Sequence, residues 1–176
     1  MNNIELKQLI DAQAYDKHYQ DVECIGFIGY SNSHQSWERF NTLDIDWTGK
    51  TVCDLGSFHG YFGLKIEQMG AKKVYGLDNM ATVRATAQTI CEHSGGSIEF
   101  LHWEGGDPTP ECDIALCLNM LHHTKDHAVT LQNMNCNYAL FEINAPQRPL
   151  IERYFTIEQE TASTRPNRVI LYGKKK

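Results

Sequence analysis

Positive charge is in short supply: 16 lysines and arginines stand against 22 aspartates and glutamates, a formal charge of −6 at pH 7. A domain whose main task is gripping nucleic acid usually carries the opposite sign, so a large nucleic-acid footprint is disfavoured. No apolar run approaches the roughly 18 residues that a membrane span needs. The opening residues, Met1-Asn2-Asn3-Ile4-Glu5, offer neither a basic region nor an uninterrupted apolar stretch, so no signal peptide is expected. Cysteines at 24, 53, 91, 112, 117 and 136 form no CxxC pair. Most lie in apolar stretches such as Ala115-Leu116-Cys117, which points to buried free thiols in a reducing, cytoplasmic setting rather than to disulfides or zinc. Internal repeats and low-complexity segments are also missing. What remains is an ordinary globular mixture, 41% hydrophobic and 22% charged over 176 residues, enough for one domain with one sizeable core.

Leu6, Leu9, Ile10 and Tyr15 stand close to helical spacing and predict an N-terminal amphipathic helix within residues 4–18. Ser33 is expected to cap a second helix carrying Trp37 and Phe40 on one face. From residue 51 the pattern changes to alternating strands and helices. Strands are expected at 51–55, 73–77, 98–101, 113–118 and 138–143, with helices after the first loop, over 80–92 and over about 125–134. Two more β-rich runs, 154–157 and 168–172, are close enough to form an antiparallel hairpin at the sheet edge. Strands separated by single helices give right-handed crossovers and a parallel sheet covered on both faces, with ligands at the carboxyl ends of the strands. Residues 1–50 then form a helical lid or extension on a core of 51–176, within one domain.

The most informative stretch is Asp54-Leu55-Gly56-Ser57-Phe58-His59-Gly60-Tyr61-Phe62-Gly63. Gly56 and Gly60 allow a tight turn and close approach of a ligand, and the helix that follows offers N–H groups to a polar or anionic one. Asp54 would repel a pyrophosphate but could hold an ammonium group. Asp78, 24 residues on, ends the second strand, where a carboxylate can accept both hydroxyls of a ribose. Glu104, past the third strand, is placed to accept from an adenine amino group.

These residues, in this order, resemble class I S-adenosylmethionine-dependent methyltransferases. Thr51 to Gly60 is similar to that family's first motif, Val74 to Asp78 to its second, and Cys112 to His123, ending Asn119-Met120-Leu121-His122-His123, to its fourth. The resemblance covers residues 51–143. It implies a Rossmann-like α/β three-layer sandwich with a mostly parallel seven-stranded sheet and a C-terminal antiparallel hairpin. It also implies that Asp54, Gly56, Ser57 and Gly60 surround the methionine part of S-adenosylmethionine. Asp78 would take the ribose, Asn79 and Met80 flank the adenine, Glu104 take its edge, and Asn119 and Leu121 line the methionine side. Phe58 departs from the pattern, standing where a glycine is usual. The flavour of the first motif, with Gln35-Ser36-Trp37 before it, looks similar to the branch related to wobble-uridine tRNA modification.

Such an enzyme would act by direct SN2 methyl transfer, for which alignment of the reacting atoms is the main contribution. An apolar, aromatic wall suits a sulfonium, with Tyr30, Trp37, Tyr61 and Phe62 as candidates. If the acceptor must lose a proton, His122, His123 and His34 are the available bases, His122 and His34 being the catalytic candidates. His122, His123 and His127 do not have metal-site spacing, and no metal is expected. A small molecule is the favoured acceptor, with tRNA as the alternative and a non-catalytic cofactor-binding partner subunit as a third reading. A nucleotide-dependent oxidoreductase is disfavoured, because Gly56-x-x-x-Gly60 is not GxGxxG and an acid precedes it. No membrane partner is expected.

Overall fold

Alternating side chains along the strands build a sheet with a core on each face. In β1 (Thr51–Leu55), Val52 packs to one side and Cys53 and Leu55 to the other. The computed structural model describes residues 1–13, 15, 16 and 18–176. The remaining strands are β2 (Lys73–Asp78), β3 (Glu99–His102), β4 (Cys112–Leu118), β5 (Cys136–Asn144), β6 (Phe155–Ala162) and β7 (Arg168–Lys175). They form one seven-stranded sheet in the order β3-β2-β1-β4-β5-β7-β6. The first five run parallel, and β7 runs antiparallel to both its neighbours. The expected Rossmann-like sandwich and closing hairpin are therefore present. The chain steps outward from β1 in both directions, so the crevice lies where β1 and β4 separate.

Among the described residues, six α-helices flank the sheet: α1 (Asn3–Ala12), α2 (Ser33–Phe40), α3 (Tyr61–Gln68), α4 (Ala81–His93), α5 (His127–Asn133) and α6 (Arg148–Tyr154). One face buries Leu131, Met134, Ile151 and Phe155 against Ala115, Cys117 and Phe141. The other buries Phe40, Trp47 and Ile66 against Val52, Ile114 and Leu140. A third, small cluster seats Leu6 and Ile10 of α1 beside Val22 and Ile90 of α4, so the N-terminal segment is anchored by its own apolar contacts. Cys53, Cys91, Cys112 and Cys117 are buried free thiols. Among the described residues, no helix is long and apolar enough to cross a membrane.

Some boundaries differ from the sequence reading. Helix α1 stops at Ala12, with Asn2 as a full capping box at its start. Tyr15 lies beyond it and is exposed, while residues 14 and 17 of the expected helix fall outside the described residues. Ser33 is the first residue of α2 and not its cap. Asn32, in the left-handed region at φ 49°, precedes it. The turn of helix α6 was not expected from the sequence. Pro149 at its start, preceded by the capped turn of Asn144, is the local signal that a helix begins there.

Candidate active site

The loop after β1 is stitched to the end of β2. The Gly56 and Ser57 N–H groups both donate to the Leu77 carbonyl, at 2.7 and 3.0 Å. The Asp78 carboxylate accepts from the Met80 N–H at 2.9 Å. Backbone N–H groups of Phe58 and Asn79 also favour its charged form, yet burial outweighs them and raises its pKa. Gly56 and Gly60 have φ of 70° and 83°, conformations that a Cβ strains. Phe58, between them, nevertheless sits at φ 51°. Its ring is held by Tyr19 at 5.4 Å and His59 at 4.2 Å, contacts that offset a backbone cost on the order of 1 kcal/mol.

Three buried polar atoms of this loop have no hydrogen-bond partner among the described residues: Asp54 Oδ2, Ser57 Oγ and His59 Nδ1. Burial, then the charge of Asp78, pushes Asp54 up to about 8. Burial alone lowers His59 to about 4, so its ring is neutral. Its Nε2 lies 3.0 Å from Gln13 Oε1. The Gln13 amide nitrogen donates to the Tyr15 carbonyl, which leaves Oε1 as acceptor and makes Nε2 the protonated nitrogen of the ring.

The N-terminal segment crosses this loop. Buried Gln20 accepts from the N–H groups of His59 at 3.1 Å and Tyr61 at 3.4 Å. Gln20 thus helps to cap α3 from about 40 positions upstream, and one of the helix N–H groups that the sequence left open to a ligand, that of Tyr61, is occupied. The Tyr19 ring rests on Phe58 while its hydroxyl reaches the end of β4, accepting from Asn119 Nδ2 at 3.4 Å and from Arg165 Nη2 at 3.3 Å. Asn119 is itself left-handed at φ 56°, and its Oδ1 accepts from Arg168 Nη1. Met120 stands over the loop: a Cβ on Gly56 would lie 2.6 Å from its sulfur.

The structure brings Asp54, Gly56, Ser57, Gly60, Asp78, Met80 and Asn119 to the carboxyl ends of neighbouring strands. Asn79 and Glu104 are exposed beside them, the Glu104 N–H donating to Asp107. The side chains of three further expected residues make contacts away from this loop. Phe62 packs on Phe40, ring centroids 5.3 Å apart, in the helical core. The Tyr61 hydroxyl meets Glu23 at 3.3 Å, beside a cavity of about 270 Å³ between the N-terminal segment and α3. Leu121 opens a one-turn 3-10 helix and packs into the core with Leu131.

His122 is exposed at the same edge, its ring 4.0 Å from that of His123. Desolvation first, then the charges of His123, Arg168, His127 and Arg165, hold its pKa below the ordinary imidazole value. His34 has a different setting. Its Nδ1 lies 2.8 Å from Oδ2 of buried Asp21, which also accepts the His34 N–H. Tyr30 is exposed and bonds Asp16, whereas Trp37 is half-buried against the helical core. Among the described residues, no group of three His, Cys, Asp or Glu is placed to hold a metal ion. Sequence reasoning missed Tyr19, Gln20, Met120, Arg165 and Arg168. No local pattern marks the first two or the arginines, although Met120 lies inside the fourth motif.

Residues 53–135 match the family model described as a methyltransferase domain. A tRNA U34 carboxymethyltransferase from Campylobacter hominis is 35% identical over 107 residues, a match covering 57% of this chain and 37% of that protein. This chain thus spans well under two thirds of that relative. The crystal structure of the PH0226 protein from Pyrococcus horikoshii superposes with a TM-score of 0.76 at 12% identity, covering 93% of this chain and 97% of the other. An S-adenosylmethionine dependent methyltransferase from Mesorhizobium loti gives 0.68 at 15% identity, covering 80% and 98%. At such identities the structural likeness speaks for the fold.

Proposed function

We propose, from the match of residues 53–135 to a family model described as a methyltransferase domain, that the chain is an S-adenosylmethionine-dependent methyltransferase acting on a small molecule. The observation that carries the reading is the pair of buried, unpartnered oxygens, Asp54 Oδ2 and Ser57 Oγ, on a loop whose glycines leave its backbone bare. A buried acceptor without a donor costs about 1–3 kcal/mol, more for a charged group. A ligand bearing an ammonium group and a hydroxyl-rich sugar would satisfy the acceptors of this crevice. Asp54, Gly56, Ser57 and Gly60 would hold the amino-acid end, Asp78 the ribose, Asn79, Met80 and Glu104 the adenine, with Asn119 beside the reacting end. The cofactor, when bound, supplies a methyl carbon activated by a sulfonium.

The chain's own residues then bind, orient and exclude water. Residues 1–50 act as a cover: Gln13 and Gln20 hold the loop from outside, and Tyr19 lies across the gap between loop and β4. For an acceptor that must lose a proton, His122 is neutral near pH 7 and free to take one. His34 is the second candidate, since Asp21 holds one ring nitrogen and fixes the other as an acceptor. A tRNA acceptor is the second reading, favoured by the name of the Campylobacter relative. Calorimetry with S-adenosylhomocysteine and with NAD tests the class: micromolar binding of the first alone is expected, and preference for NAD overturns it. Transfer of radiolabelled methyl to a metabolite mixture or a tRNA pool then separates the acceptors. A chain that binds S-adenosylhomocysteine but labels neither is a cofactor-binding partner subunit.

A further inference from the structure

The end of the crevice opposite Asp54 has an unusual hydrogen-bond balance. The Tyr19 oxygen accepts twice, from Asn119 and from Arg165, which fills both lone pairs and leaves its proton to donate. The Asn119 carbonyl oxygen is occupied by Arg168. Each guanidinium carries five N–H donors and no acceptor, so what these four side chains can still offer a ligand is donors and positive charge.

That charge is uncompensated. Among the described residues, no carboxylate lies within ion-pair distance of Arg165 or Arg168. The nearby acid is Glu142, buried on β5, and one of its oxygens is taken by the Ser163 hydroxyl. Both arginines are half-buried. They sit where β7 begins, and the register pairs Arg168 with Asn144 at the carboxyl end of β5, on the same sheet edge as Asn119 and His122. On a chain of net charge −6, two unpaired arginines at this edge need a reason beyond packing.

We propose that Arg165, Arg168 and the Tyr19 hydroxyl form a binding site for an anionic oxygen group, a carboxylate or a phosphate, carried by the small-molecule acceptor. This rests on the methyl-transfer reading of the same crevice. A planar guanidinium pair matches either group through parallel N–H bonds. Seating that group here fixes the acceptor at the reacting end, and it neutralises charge that would otherwise oppose a cationic cofactor.

The test is calorimetry of acetate and of inorganic phosphate, at constant ionic strength with chloride as control, on the protein with and without saturating S-adenosylhomocysteine. Saturable binding of at least one anion is expected, and the stronger arm identifies the group. Arg165→Met and Arg168→Met should each weaken it tenfold or more, with Arg168→Lys between wild type and Met. Tyr19→Phe should weaken it severalfold, and Arg165→Met should leave affinity for S-adenosylhomocysteine within threefold. Absence of saturable binding of either anion, or binding that the arginine variants leave unchanged, overturns the assignment. So does a tRNA transcript whose binding the double methionine variant abolishes while both small anions stay inert, since the arginines would then serve a nucleic-acid backbone. Failure of S-adenosylhomocysteine to bind sinks the methyl-transfer reading instead, and the anion titrations in its absence are judged separately.

Discussion

The two ends of the crevice are chemical opposites. Around Asp54 and Asp78 the unsatisfied groups are acceptors, in a setting so desolvated that burial raises both carboxyl pKa values. Around Arg165 and Arg168 the uncommitted groups are donors, and among the described residues neither arginine is in an ion pair. A cation is wanted at one end and an anion at the other, and Tyr19 spans the two. The contrast teaches that a site can be held in readiness by leaving acidic and basic side chains unpartnered at a distance rather than by pairing them with each other. Protein stability is given up at both ends and recovered only when ligands arrive.

The sharpest way to break this polarity is at its acidic pole. Asp54→Asn keeps the shape and removes the charge, and affinity for S-adenosylhomocysteine should fall about a hundredfold, as for loss of a buried charge-assisted bond. The ligand-free variant should melt higher than wild type at pH 8, because a buried carboxylate no longer has to ionise there. A variant that loses neither affinity nor this stability pattern removes Asp54 from the site.

Changing pH probes the same pole without mutation. With its pKa raised from 3.8 to about 8, Asp54 is mostly protonated in the empty protein at neutral pH, and an ammonium ligand must displace that proton. Affinity for S-adenosylhomocysteine should therefore strengthen on the order of twentyfold from pH 6.5 to 8.5, with proton release visible in buffers of different ionisation enthalpy. For folding the sign is opposite. A raised pKa contributes stability that is complete below the unfolded value and is lost as pH rises toward 8, so the ligand-free melting temperature should decline over that window and Asp54→Asn should flatten the decline. The tenfold losses expected for the arginine variants lie between these effects and the backbone effects that follow.

Gly56→Ala tests how the poles are spaced. At φ 70° an alanine costs about 1 kcal/mol, and its Cβ would press on the Met120 sulfur, which has freedom to move. Severalfold weaker S-adenosylhomocysteine binding is expected, with anion binding at the arginines unchanged. Equal loss at both poles would mean that they are not independent.

How much of this was legible follows from where the residues lie in the chain. The acidic pole comes from ten consecutive residues and one carboxylate a strand away, so spacing alone exposed Asp54, Gly56, Gly60 and Asp78. The sheet was legible for the same reason, since each β1–β5 strand carries its own apolar run. The basic pole joins Tyr19, Asn119, Arg165 and Arg168, drawn from three segments, with Asn119 100 residues and Arg165 146 residues from Tyr19 and Arg168 49 from Asn119. Only the fold of the hairpin over the sheet edge brings them together. The packing of Phe62 and Leu121 into the two cores was not legible, because proximity in sequence to a loop does not fix which way a helical residue points.

The smallest expected effect concerns the segment that joins the poles. Gln20 Oε1 accepts two N–H groups at the start of α3, a cap contributed from outside the helix. Removing a cap costs typically about 1 kcal/mol, which in a chain of this size lowers the melting temperature by about 2–4 °C. Gln20→Ala should do that, and it should also weaken S-adenosylhomocysteine two- to threefold, since the loop carrying Ser57 would no longer be held from above. Gln20→Glu supplies a carboxylate to the same two donors at a helix N-terminus and should restore both properties. If alanine lowers the melting temperature while leaving affinity untouched, Gln20 stabilises the helix alone, and the N-terminal segment is a packed neighbour of the crevice rather than part of its wall.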